Sequence, residues 1–167
     1  MKANFYGLFW ACLGALVFTS CSNDDDDLRL SDVPTVVQDS FELRFPNVDR
    51  AEWEYKKGYI VADFWQDGME TQAWYNPDGE WLMTEYDLGT NVNALPQAVQ
   101  NALQDGQYAT WRVDDIDKYE RENEVFYLID VETQGQQDRD LYFSPDGELL
   151  KDEVDKENDD VTPDTIL

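Results

Sequence analysis

Oxygen-bearing side chains crowd two short stretches that could grip a cation. YNPDGEWL, residues 75–82, sets Asn, Asp, Gly and Glu within five positions between aromatic residues. DVETQGQQDRDL, residues 130–141, has oxygens at its first, third and fifth positions and Gly at the sixth, as a calcium loop does. Its twelfth position should supply a bidentate Glu and is Leu141, and the stretch lies where a hairpin turn is expected. The first stretch returns 68 residues later as FSPDGELL, residues 143–150. A type I turn accounts for every residue of both copies. Pro77 and Pro145 preset the second position, and Gly79 and Gly147 take the left-handed conformation. Both are therefore expected to turn the chain and not to bind metal.

Little else in the sequence can do chemistry. There is no His, which removes Ser-His-Asp and Cys-His catalysis, His bases and the common zinc motifs. No Gly-rich phosphate loop is present. Carboxylates alone could run a glycosidase, but with 37 acidic residues some pair is inevitable and none is singled out. No enzymatic activity, metal or cofactor is expected.

Residues 1–20 read as a leader. Lys2 is followed by the apolar run FYGLFWACLGALVF, residues 5–18, long enough for a signal-peptide core and short of the ~20 residues of a membrane span. FTSC then places Cys21 after a small residue, just beyond that run. This resembles the lipobox of bacterial lipoproteins, whose Cys is diacylated and becomes the new N-terminus. Ser22, Asp24, Asp25, Asp26 and Asp27 follow, in SNDDDD. A Ser and an acidic run after the lipidated Cys are similar to the surface-export signal of lipoproteins in some Gram-negative bacteria. The resemblance implies a lipid anchor in the outer membrane, facing outward, or otherwise the periplasmic side. A solvated acidic tether over 21–32 accounts for the same run, and the two roles are compatible. Cys12 leaves with the leader, so the mature chain has no disulfide.

The balance of charge narrows the partners. The chain has 12 basic and 37 acidic residues, a formal net of −25. Losing Lys2 with the leader leaves 11 basic residues and a net of −26. That surface repels nucleic acid and anionic lipid, so membrane contact is expected through the anchor only. Cationic partners are electrostatically easier, although acidity also serves solubility.

The chemistry-poor body divides into two related halves, 33–90 and 91–153, with an acidic tail over 154–167 expected to be disordered. Each half opens on a hydrophobe and Pro, which suits the first turn of a helix. Apolar residues then recur every fourth place: Val33, Val37, Phe41 and Phe45, and later Leu95, Val99 and Leu103. Four strand-like runs follow each helix, at 50–56, 59–66, 69–75 and 80–86, and at 112–121, 125–132, 138–143 and 147–152. KKG and QDG mark tight hairpins. YIVADF (59–64) matches FYLIDV (126–131), aromatic for aromatic and Asp for Asp. The expected class is α+β: a tandem duplication of a helix followed by a four-stranded antiparallel sheet.

A two-residue turn at Asp67-Gly68 sets the register of the second hairpin. One strand face then presents Ile60, Ala62, Phe64, Met69, Thr71, Ala73 and Tyr75 and should lie under the helix. The other presents Tyr59, Val61, Asp63, Trp65, Gln72 and Trp74, which correspond in the second half to Phe126, Leu128, Asp130 and Tyr142. Aromatics mixed with polar groups suit a binding surface. Tyr59, Asp63, Trp65, Trp74, Phe126, Asp130 and Tyr142 are therefore the candidate partner-binding face. The same composition is expected where two sheets, or a sheet and a linker, pack together.

LPQAVQNAL, YNPDGEWL and FSPDGELL, with the duplicated helix-and-four-strand order, resemble the PepSY-like family and its β-lactamase-inhibitor-like (BLIP-like) branch, over about residues 33–153. The resemblance implies a helix on a four-stranded antiparallel sheet, given twice, and a binding or inhibitory module. The shared motifs are structural and carry over no catalytic or ligand residues. The expected function is a protein-binding or inhibitor-like envelope lipoprotein. A glycan-binding accessory, stacking sugars on Trp and Tyr, and a structural envelope protein without a discrete ligand are the alternatives.

Overall fold

The structure, a computed structural model, describes residues 26–156 and 161–167. The leader, Cys21, Ser22, Asp24 and Asp25 lie outside the described residues.

The helical stripes form as spaced. α1 (Thr35–Arg44) starts behind Pro34, and α2 (Gln97–Asp105) behind Pro96. Val33, Val37, Phe41 and Phe45 are all buried, as are Leu95, Val99 and Leu103. Burying each such side chain stabilises by about 1.5–3 kcal/mol relative to leaving it in water. Phe41 sits edge-on to Trp53 and Phe64, with ring centroids 5.2 and 5.1 Å away.

A short strand, β1 (Asp26–Leu28), precedes α1; β2 (Glu52–Lys56), β3 (Tyr59–Gln66), β4 (Met69–Tyr75) and β5 (Trp81–Asp87) follow α1, and β6 (Arg112–Arg121), β7 (Val125–Glu132), β8 (Arg139–Phe143) and β9 (Leu149–Val154) follow α2. Lys57 and Gly58, like Asp67 and Gly68, both have positive φ, the signature of two-residue type I′ hairpins whose twist matches the strands.

Two separate four-stranded sheets, as the sequence suggested, are not what forms. The strands join into a single nine-stranded antiparallel sheet in the order β1 to β9. β5 pairs with β6 from Met83↔Arg121 to Asp87↔Asp117, so the last strand of one half becomes the neighbour of the first strand of the other. An unpaired edge exposes a row of N–H and C=O groups, and this pairing satisfies two such rows at once. Both helices consequently cover the same face. The cross-strand row Phe64, Thr71, Tyr86, Lys118, Tyr127, Phe143 runs unbroken from the core under α1 to the core under α2.

The expected tether and tail also contribute structure. Asp26–Leu28 of the tether forms β1, pairing Asp27 with Glu54 and Leu28 with Trp53. From the tail, Val154 belongs to β9, and residues 161–167 fold back onto the sheet face away from the helices.

Candidate functional site

The helix-free face gathers the side chains that alternate away from both cores. Its centre is aromatic. Val61 and Trp74 (β3, β4), Met83 (β5), Tyr119 (β6), Phe126 (β7) and Tyr142 (β8) form one buried cluster with Val161. Tyr119 stacks on Phe126 at 4.9 Å, and Tyr59 meets Trp74 edge-on at 5.9 Å. Three cations edge this band: Lys56 Nζ lies 5.5 Å from the Trp74 ring centroid, the Arg121 guanidinium 5.0 Å from Phe126, and Lys151 Nζ 5.0 Å from Tyr142.

The candidate face residues thus lie on one surface but in unlike surroundings. Trp74, Phe126 and Tyr142 are buried, in one cluster with Val161 of the tail and with Leu167 packed against it. The sequence offered inter-sheet or linker packing as the alternative to an open face; the chain's own tail is what packs there. Tyr59 is half-buried and donates its hydroxyl hydrogen to Asp164 Oδ2 at 2.6 Å. Desolvation, then the Asp164 hydrogen bond and charge, push the Tyr59 phenol up to about 12. Asp63 accepts a long 3.4 Å bond from Gln72, and desolvation raises its carboxyl. Trp65 remains open, with 67% of its surface exposed. Beside it lies a depression of about 580 Å³, lined by Asn47, Asp49, Arg50, Glu52 and Asp63 among others.

Next to the aromatic band runs an acidic band that sequence reasoning missed. Asp115, Asp130, Asp140 and Glu153 stand directly opposite one another across β6, β7, β8 and β9. Asp87 faces Asp117 across β5 and β6. Like charges in such positions destabilise a sheet. Desolvation first, and then Glu85, Asp115, Asp130 and Asp87, push the Asp117 carboxyl up to about 9. Desolvation and the charges of Asp140 and Asp155 push Asp130 up to about 7, and its Oδ1 has no hydrogen-bond partner among the described residues. Asp87, Asp115 and Asp117 bring carboxylate oxygens within 4.8 Å of one another, close enough to share a hard cation. The alternation Asp115, Asp117, Tyr119 was legible in VDDIDKYER, but its meeting with Glu85 and Asp87 depends on the β5–β6 register.

The two Pro-Asp-Gly stretches are turns on the other side of the molecule. Asn76 Oδ1 accepts from the backbone N–H of Asp78 and Glu80, at 3.1 and 2.9 Å. Ser144 Oγ accepts from the N–H of Glu148 at 3.1 Å. Pro77 and Pro145 sit exposed inside these turns. Gly79 and Gly147 both have φ of +86°, and each presses on a helix: a Cβ would lie 2.7 Å from Val36 Cγ2 or from the Ala98 carbonyl oxygen. Of the acidic run, Asp26 and Asp27 stand in β1, with Asp27 exposed.

Comparison with known proteins follows the same lines. A family model described as "Putative beta-lactamase-inhibitor-like, PepSY-like" matches residues 57–151 and indicates no catalytic family. A BLIP-like protein from Bacteroides fragilis NCTC 9343 is 36% identical, with a TM-score of 0.71 over 77% of this chain and 91% of that one. A DUF2874 family protein from Bacteroides ovatus ATCC 8483 is 31% identical, with a TM-score of 0.69 over 72% and 86%. A protein from Bacteroides eggerthii DSM 20697, described as periplasmic, is 27% identical, with a TM-score of 0.68 over 73% and 88%, and agrees with an envelope location. A search of curated proteins gave no match. With the family model spanning most of the sheet and solved relatives above 30% identity matching along nearly their whole length, the chain belongs to the PepSY-like, β-lactamase-inhibitor-like family.

Proposed function

We propose that this protein is a non-catalytic lipoprotein of the cell envelope that binds a protein partner, as an inhibitor-like module does, through its helix-free sheet face. Cys21 carries the lipid, and the acidic run through Asp27 directs the anchored protein to the outer face of the outer membrane. The family and the BLIP-like relative support a binding module. The observation that carries the proposal is the aromatic band edged by Lys56, Arg121 and Lys151, which already accommodates a peptide segment. One observation favours a glycan-binding accessory as the second reading. Trp65 is a flat, exposed ring beside hydrogen-bonding side chains, the usual platform for a sugar.

A photo-crosslinking amino acid placed in living cells at Trp65 or Glu85, on the helix-free face, tests the binding surface. Leu43, 85% exposed on α1, is the control position. Protein adducts from the face positions and not from Leu43 are expected; equal yields, or none, refute the protein partner. Adducts only at Trp65 that disappear on glycosidase treatment favour the glycan. Protease shaving of intact cells, with Asp24, Asp25, Asp26 and Asp27 kept or changed to Ala, tests export. Removal of the normal form and protection of the Ala form are expected. Cys21→Ala should release the protein from membranes, and sedimentation with them would refute the anchor.

A further inference from the structure

Residues 161–167, VTPDTIL, occupy the helix-free face as a ligand would. Val161 is 3% exposed within the aromatic cluster, and Leu167, like Tyr59 and Leu128, packs against the same cluster. Between these two anchors the segment turns on itself, with Thr165 N–H donating to Thr162 O at 2.9 Å. Polar contacts to the sheet among the described residues include Tyr59 Oη to Asp164 Oδ2 at 2.6 Å and Arg121 Nη2 to Thr162 O at 3.0 Å. In both, the sheet donates and the segment accepts.

The fit is incomplete in a specific way. Trp74 Nε1 and Arg121 Nε are buried, and neither has a hydrogen-bond partner among the described residues. Both are donors. They lie in one cross-strand row, because Trp74 is opposite Met83 and Met83 is opposite Arg121. Two strand spacings separate their backbones by about 10 Å, which an extended chain covers in about three residues. The face therefore holds two buried donors that VTPDTIL does not satisfy, within an aromatic cluster edged by cations. Buried donors without acceptors are rare in native structures and call for an explanation.

We propose that the aromatic band is a groove for an extended, acceptor-rich peptide segment with small aliphatic anchors, and that residues 161–167 fill it in cis as a placeholder which a partner's segment displaces. The proposal rests on the reading of this face as the binding surface and adds the chemistry and the control of the partner. The partner presents carbonyls or carboxylates to Trp74 Nε1 and Arg121 Nε and an aliphatic side chain where Val161 sits. Covalent attachment gives the cis segment an effective concentration in the millimolar range, so only a better-matched or locally concentrated segment competes.

The test uses the mature chain with a protease recognition sequence inserted between Asp159 and Asp160. Fluorescence anisotropy then follows a labelled peptide of residues 157–167 on the uncut and the cut protein. For a peptide of about 10 μM affinity, the cis segment should weaken binding to the uncut form roughly 100-fold. Binding to the cut form only, lost in a peptide carrying Val161→Asp, is the expected result. A cut protein that keeps its near-UV circular dichroism but binds no peptide overturns the proposal. So does equal binding to both forms, which places the peptide elsewhere, or unfolding on cleavage, which makes the segment part of the core. Tail exchange between two copies, seen as a dimer of the uncut chain by light scattering, would make a second copy the occupant and also overturn it. Face-specific crosslinks without peptide exchange leave the binding surface standing and refute the placeholder; peptide exchange without crosslinks shows a displaceable segment but refutes the binding surface, and with it the proposal that rests on it.

Discussion

Replacing Asp117 with Asn should stabilise this protein at pH 8 and leave it nearly unchanged near pH 4. Asp117 is partly buried in β6, opposite Asp87 and among Glu85, Asp115 and Asp130. Desolvation and these charges raise its carboxyl to about 9, against the usual 3.8. The folded state therefore keeps a proton over a window in which the unfolded chain has released it. Stability from this group is complete below the unfolded value and is lost as pH rises toward the folded one. One such proton is worth about 1.4 kcal/mol per pH unit, so pH 5 to pH 8 spans at most about 4 kcal/mol. Solvent screening on the open side of the carboxyl reduces this to about 2–3 kcal/mol. Asn keeps the shape and cannot ionise, so the variant's advantage over the normal protein should grow by that amount between pH 5 and pH 8, and its own pH profile should be flatter. Urea melts followed by Trp fluorescence at pH 5, 6.5 and 8, in EDTA at constant ionic strength, measure it. The other acids also repel more strongly as pH rises, so the informative quantity is the difference between the Asp117→Asn variant and the normal protein at each pH. A gain that does not grow with pH, or a loss at pH 8, would refute the account of the acidic band.

Two further contrasts test the packing. Gly147→Val combines a left-handed φ of +86° with a Cβ 2.7 Å from the Ala98 carbonyl, and should cost about 2–4 kcal/mol in a urea melt; equal stability would contradict the turn's role. Trp74→Ala, at a side chain with 0% exposure, should cost about 3–5 kcal/mol, whereas Trp65→Ala, at 67%, should stay within about 0.5 kcal/mol. Similar losses for the two Trp would mean that the helix-free face is not divided into a covered centre and an open rim.

Local periodicity was the readable part of this chain. Val33, Val37, Phe41 and Phe45 repeat every fourth residue, and the helix buries that stripe. Asp67-Gly68 forced Gln66 opposite Met69, and from that pairing both faces of the second hairpin follow. The candidate site was legible only as a face. Trp74 and Trp65 have the same strand parity, and nothing within nine residues distinguishes the Trp that residues 161–167 cover from the one left in solvent. The acidic band escaped for a related reason: Asp117 is an ordinary alternating strand residue until Asp87 is placed across from it.

The amino-acid sequence by itself determined the helices, the eight main strands, their turns and, in the hairpin of β3 and β4, which side faces a helix. Those properties depend on contacts between residues close along the chain, where spacing dictates geometry. Only the tertiary structure decided that the two halves share one sheet, that residues 26–28 add a ninth strand and that residues 161–167 close over the aromatic band. Edge strands pair through backbone groups common to every residue, and an apolar face accepts any segment that can bury it. Such choices are made by whichever distant part of the chain satisfies them best.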